Sequence, residues 1–202
     1  MDKDLAEVAG AFAGDGSLYA NGSGYLFEIR GPKNELPYYE ILKPKFEKIL
    51  KIELKIVKRS YNGGYVIGLR SGKRIVYDIF HKKLGFPVGS KSRIVKVPKI
   101  IFSNEKLWIY YLRGVFDTDG SIYLRKAGRK MRQIQPVVDI CSLSVKHLKQ
   151  INFMLKGLGF SSWMEKTKVR MAGKSTLERF FKTIKPNNNK HHLRYRRFAG
   201  IA

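Results

Sequence analysis

The sequence predicts an α+β protein made of two pseudo-symmetric αββαββα repeats. Three observations carry that reading. Gly14-Asp15-Gly16-Ser17-Leu18-Tyr19 recurs about half a chain later as Thr118-Asp119-Gly120-Ser121-Ile122-Tyr123. The order of apolar and turn patterns that follows one copy also follows the other. Finally, 44% of the 202 residues are hydrophobic and 12% aromatic, which separates this chain, with a net charge of +24, from a disordered basic tail. A chain of this length buries roughly 70% of its unfolded surface, enough for one large core or two small ones.

Each element has its own signal. The first repeat opens on a run of small and apolar residues, Leu5 to Ala13, read as a helix. Short strands follow at Ser17–Tyr19 and Tyr25–Arg30, then a helix over Pro37–Leu50. Strands at Glu53–Arg59 and Tyr65–Arg70 flank Asn62-Gly63-Gly64, a hairpin signal, and a helix over Lys73–Leu84 closes the unit. The second repeat runs through a helix at Leu107–Phe116, strands at Ser121–Lys126 and Pro136–Ser142, and a helix over Val145–Leu158. Strands at Ser162–Glu165 and Thr167–Met171 lead to a last helix at Ser175–Ile184. Residues 1–87 are thus one repeat and 104–186 the other, joined by a basic, Pro98-containing linker at 88–103. Residues 187–202 read as a basic tail, with Asn187-Asn188-Asn189 and Arg194-Tyr195-Arg196-Arg197.

The charge points to a polyanionic partner. Forty Lys and Arg stand against 16 Asp and Glu, and they interleave with apolar residues inside folded elements. In Lys166-Thr167-Lys168-Val169-Arg170-Met171 the cations fall on every second residue, so a strand shows them on one face. A solvated face usually carries both signs. An acidic membrane surface calls for a basic amphipathic helix or a lipidation motif, and neither is found. A nucleic-acid backbone, whose counterions are released on binding, fits better, and the tail is expected to order on it. The single cysteine, Cys141, makes neither an internal disulfide nor a Cys-rich zinc site. No run approaches the ~18 apolar residues of a membrane span, and no targeting signal is seen, so an intracellular location is expected.

The repeated motif carries the chemistry. Ala6, Ala9, Gly10, Ala13 and Gly14 put small residues along one side of the first helix, and Gly114 and Thr118 are their counterparts in the second. Small residues at that spacing let two helices approach closely, so the two motif helices are expected to pack on each other about a near-two-fold axis. Each helix then ends in Asp-Gly. The glycine suits a left-handed residue past the helix end, whereas an aspartate there faces the negative end of the helix dipole. Asp15 and Asp119, brought together, repel each other unless a cation intervenes.

Val8-Ala9-Gly10-Ala11-Phe12-Ala13-Gly14-Asp15-Gly16 and Leu112-Arg113-Gly114-Val115-Phe116-Asp117-Thr118-Asp119-Gly120 resemble the two signature helices of monomeric, two-motif LAGLIDADG homing endonucleases. The element order of each half is similar to that family's repeat, so the resemblance covers nearly the whole chain. It implies saddle-shaped antiparallel sheets with the motif helices packed at the centre. It also implies that Asp15 and Asp119 are the essential acids, with the carbonyls of Gly14 and Thr118 helping to hold magnesium, two or three ions being shared between the acids. Family members carry a lysine where the last strand meets the last helix, which selects Lys73 and Lys174, with Arg70 and Arg170 as nearby competitors. The sixth signature position is Ala13 in one copy and Asp117 in the other. It is not essential in the family, so Asp117 is read as a helix-end hydrogen bonder. Many relatives place a Gln, Asn or Lys after the second strand, where the register here gives Gly31 and Ser142.

The resemblance implies site-specific hydrolysis of both strands of duplex DNA by a monomer acting as a pseudo-dimer. Strand cations would enter the major groove: Arg30, Lys55, Arg59 and Arg70 from the first half, and Arg125, Lys126, Arg129, Arg132, Lys168 and Arg170 from the second. His81, His147, His191 and His192 show no metal-ligand spacing beyond the adjacent last pair. A start at Met-Asp and an end at Ile-Ala lack the nucleophile and His-Asn of an intein, so an intron-encoded protein is expected. The alternative is an RNA-binding maturase assisting intron splicing on the same scaffold.

Overall fold

The computed structural model describes residues 2–61, 64–127 and 133–199. Asn62 and Gly63 of the expected hairpin and the candidate contacts Arg129 and Arg132 lie outside the described residues. The chain folds as the same unit twice. In the first, α1 (Lys3–Asp15) runs directly into β1 (Gly16–Asn21) and β2 (Gly24–Pro32), followed by α2 (Leu36–Leu50), β3 (Lys55–Tyr61) and β4 (Gly64–Ser71). A short α3 (Arg74–Tyr77) continues as π-helical turns over Asp78–Lys83. After α4 (Lys99–Phe102), the second unit has α5 (Trp108–Asp119), β5 (Gly120–Ala127), β6 (Gln133–Cys141), α6 (Val145–Gly157), β7 (Trp163–Glu165), β8 (Lys168–Ala172) and α7 (Lys174–Ile184). The sheets are antiparallel with matching order, β1-β2-β4-β3 and β5-β6-β8-β7.

Alternation along the strands sorts the residues. Leu18, Phe27, Ile29, Ile67 and Leu69 turn inward from one sheet, and Ile122, Val138, Ile140, Val169 and Met171 from the other, into one continuous core. Phe12 of α1 sits among Phe27, Phe80 and Phe86, with ring centroids 5.3, 4.7 and 4.8 Å away, which fixes α1 against its own sheet. Local signals set the helix starts: Asp2 Oδ1 accepts from Asp4 N at 2.9 Å ahead of α1, and Ser144 Oγ accepts from His147 N at 3.3 Å ahead of α6.

Three expectations change. Gly16 and Gly120 are extended (φ −82° and −83°), not left-handed, because each chain enters a strand immediately after its helix. Their glycines are needed for space instead: a Cβ would collide with the Phe12 and Phe116 rings one turn back. The linker is part of the fold, with Val95, Val97 and Ile101 buried in the core. The tail holds a helix, α8 (Asn189–Ala199), because His191, Tyr195 and Phe198 recur at helical spacing and pack inward. Tyr195 stacks on Phe181 with ring centroids 4.2 Å apart, and His191 lies tilted against Phe116 at 4.2 Å. Among the described residues no helix is long and apolar enough to cross a membrane.

Candidate active site

The site lies where α1 and α5 end. The two helices touch backbone to backbone: a Cβ at Gly10 would collide with the Tyr111 carbonyl oxygen, and one at Gly114 with that of Glu7. A turn further on, Gly14 faces Thr118, whose Oγ1 is turned back onto the carbonyls of Gly114 (3.1 Å) and Val115 (3.0 Å). A Cβ on Gly14 would lie 3.0 Å from Asp119 Oδ2, so the carboxylate closing one helix leans over the last turn of the other. Burial, then the charge of Asp119, then that of Glu35 push the Asp15 carboxyl up to about 7 from its ordinary 3.8. Burial also raises Asp119, against the opposing pull of Lys91 and Lys190.

Those two lysines occupy matching places. Lys91 Nζ donates to the carbonyls of Ala13 (2.7 Å) and Gly14 (2.6 Å) at the end of α1. Lys190 Nζ donates to the Thr118 carbonyl (3.2 Å) at the end of α5 and to Glu35 Oε1 (2.9 Å). Each ammonium sits at the negative end of a helix dipole and beside the acids. Burial depresses Lys91 while Asp119 and Asp15 act the other way. Sequence reading placed Lys91 in the linker and Lys190 in the tail, so it missed both. Lys73 stands exposed at the start of α3, in a shallow depression with Lys55 and Arg70, and Lys174 opens α7 half-buried.

Glu35 was also missed. Gly31 makes room for it: a Cβ there would lie 2.8 Å from Tyr39 Oη and 3.1 Å from Glu35 Oε2. Glu35 is 6% exposed, and its Oε2 has no hydrogen-bond partner among the described residues. In the other half the corresponding space holds Ser142 and His147, whose Nε2 is 2.9 Å from Tyr111 Oη. Burial drives His147 down to about 3, so it is neutral. Asp117 is fully buried and accepts from the backbone N–H groups of Asn187 and Asn188, each at 3.0 Å. It bonds at a helix end, as expected, but to a segment far along the chain.

Two carboxylates on adjacent helix ends, both raised by burial and neither accepting a hydrogen bond from a described residue, form a hard-oxygen donor set that fits a divalent cation. The Gly14 and Thr118 carbonyls already accept an ammonium hydrogen bond each, which leaves one lone pair apiece.

Residues 108–195 match the family model of the LAGLIDADG-like domain. Over that stretch the chain is similar to the LAGLIDADG-like proteins. Its whole length has the LAGLIDADG fold. I-AabMI, a LAGLIDADG meganuclease solved bound to uncleaved DNA, superposes with a TM-score of 0.62 at 12% identity, covering 100% of this chain and 91% of that one. I-DmoI, solved in complex with DNA and Mn, gives 0.59 at 16% identity, covering 90% and 96%. In sequence the chain is 26% identical over 180 residues to a probable translation initiation factor IF-2 of Thermococcus kodakarensis, covering 87% of this chain. It is 25% identical over 172 residues to an uncharacterized protein of Methanocaldococcus jannaschii, covering 81%. The chain spans only 14% and 58% of the lengths of those two relatives.

On this LAGLIDADG fold the strand register places the candidate DNA contacts. Arg30, Lys55, Arg59 and Arg70 share the face of the first sheet opposite the core, and Arg125, Lys168 and Arg170 share that of the second. Lys126 falls on the other face, one residue out of phase with Arg125, near the end of β5.

Proposed function

We propose that this chain is a site-specific endonuclease that cuts both strands of a long duplex DNA target in a magnesium-dependent reaction, as a monomer whose two repeats each serve one strand. The pairing of Asp15 and Asp119 at the ends of two backbone-close helices, flanked by two cationic sheet faces, carries this reading. Asp15 and Asp119, with the carbonyls of Gly14 and Thr118, would hold two or three divalent ions. The cation, when bound, supplies a more acidic water and a polarised phosphoryl oxygen. Lys91 and Lys190, already fixed beside the acids, place a positive charge where the scissile phosphates must come and where the leaving oxygen gains charge. Arg30, Lys55, Arg59, Arg70, Arg125, Lys168 and Arg170 contact the duplex from the two sheet faces. Insertion sites of mobile introns are the proposed targets.

The test is a library of duplex DNA containing candidate insertion sites, incubated with purified protein and magnesium, with EDTA controls. Discrete, EDTA-sensitive double-strand cuts are expected. D15N and D119N should abolish double-strand cutting while leaving duplex binding intact, and cutting at the wild-type rate by either variant would overturn the metal assignment. Tight binding to intron RNA with no cutting of any duplex would replace this reading with the maturase one.

A further inference from the structure

Each sheet buries one carboxylate on its mainly cationic face, at matching positions. Glu28 of β2 lies opposite Ser17 and Arg70, and Asp139 of β6 lies opposite Ser121 and Arg170. Their side chains are 4% and 0% exposed. Glu28 grips two arginines, Arg59 at 3.1 Å and Arg30 at 3.4 Å. Asp139 holds Lys168 at 2.9 Å and accepts from Ser121 Oγ at 2.7 Å; it lies 3.8 Å from Arg170, whose guanidinium donates instead to the exposed Glu165. The packing does not require these acids: the core lies on the opposite side of each sheet, and a buried ion pair is seldom more stabilising than an apolar replacement. Glu28 takes one charge in two away from the surface that meets DNA, and Asp139 with the exposed Glu165 offsets Lys168 and Arg170; the buried acids thereby fix the long side chains bonded to them.

We propose that Glu28 and Asp139 are specificity-positioning residues: they hold Arg30, Arg59 and Lys168 in set orientations for reading base edges and weaken the attraction of these cations to phosphates of arbitrary sequence. The inference rests on the duplex-DNA reading above. A tethered guanidinium presents its outward N–H groups to a guanine edge in a fixed plane, which favours the matching base pair. An untethered one swings to the nearest phosphate, which binds any sequence and releases a counterion.

E28Q and D139N, near-isosteric and uncharged, test this on random-sequence duplex DNA, without knowledge of the target. Each cation that moves to a phosphate steepens the plot of log affinity against log salt by about 0.9, so each variant should steepen it by about 1–2 relative to wild type. Selection from a randomised duplex library should give a flatter base preference in the variants, a change that a role in folding alone would not produce. E28D, which keeps the charge, should retain the wild-type slope. Circular dichroism establishes that the variants fold. Should E28Q not fold, R30M/R59M asks the same question from the cation side: tethered arms contribute little to random binding, so the slope should fall by less than about 0.9. Unchanged slopes and preferences in folded E28Q and D139N would overturn the inference and leave the nuclease reading standing, as would a fall of about 2 in R30M/R59M. A wild type that binds no duplex would overturn both.

Discussion

Asp15 and Asp119 were legible because the signal is local. An acid at a helix C-terminus opposes the dipole, and meeting the same anomaly twice in one chain asks for an explanation that a single copy does not. Lys91 and Lys190 were not legible, because what places them is contact with carbonyls on α1 and α5, and no local pattern encodes a partner dozens of residues away. The same blindness applies to Glu35, which reads as an ordinary residue ahead of Leu36-Pro37 until Gly31 and Tyr39 are folded around it. The difference can be measured. K91M and K190M should each lower single-turnover cleavage by about 10²-fold, the scale of losing one preorganised electrostatic group, while duplex affinity stays within a few-fold. K73M and K174M, assayed in parallel, should cost less than about 10-fold. The reverse ranking would return the role to the lysines chosen from sequence.

At the scale of elements, the repeat order and the helix seam follow from patterns that a stretch of a few turns can show, whereas the pairing of β2 with β4 and of β6 with β8 joins strands too far apart for any local pattern. Small residues at Gly10 and Gly114 announce a close approach, and the structure spends both on backbone contact. G10A and G114A should therefore destabilise the protein by about 3 kcal/mol or more, at or beyond the upper end of overpacking penalties, because backbone atoms cannot move aside as a side-chain tip can. Urea denaturation at fixed pH reads this directly, and a loss below 1 kcal/mol would show that the seam can relax. The tail was misread at this scale. Its arginines look solvated, while the apolar faces of His191, Tyr195 and Phe198 need a third-dimension partner, Phe116 and Phe181, that the sequence does not display. Truncation after residue 186 should remove Lys190 and leave Asp117 without Asn187 and Asn188, lowering both cleavage and melting temperature.

Over the whole molecule, titration of buried groups ties stability to pH. Asp15 and Asp117, held near 7 in the folded state, bind more protons folded than unfolded between about pH 4 and 7. Stability they contribute is thus lost as pH rises through that window. His147 and His191, held near 3, act oppositely: the unfolded chain binds more protons between about 3 and 6.5, so stability is lost as pH falls. In metal-free protein, D15N removes one of the acidic contributions and should make the slope of stability against pH more positive, by up to about 1.4 kcal/mol per pH unit between pH 4 and 7. Chemical denaturation at several pH values in EDTA checks it, and an unchanged slope would show that Asp15 titrates normally. Magnesium should raise the wild-type melting temperature more at pH 8 than at pH 5, because protons and metal compete for the same oxygens.

The buried cluster at Glu7 adds a rule about which halves belong together. Glu7, on the first motif helix, is gripped by Lys45 of its own half, but also by Arg113 (3.1 Å) and Asn187 (2.7 Å) of the other. In the repeat alignment the first-half counterpart of Arg113 is Ala9, and the second-half counterpart of Glu7 is Tyr111. Two copies of the first half, joined about the same axis, would therefore present Glu7 with an alanine, and two copies of the second would leave Arg113 facing a tyrosine. The acid and the arginine work as lock and key, each on one half. Expressed as separate polypeptides, the halves should seek each other and shun their own kind.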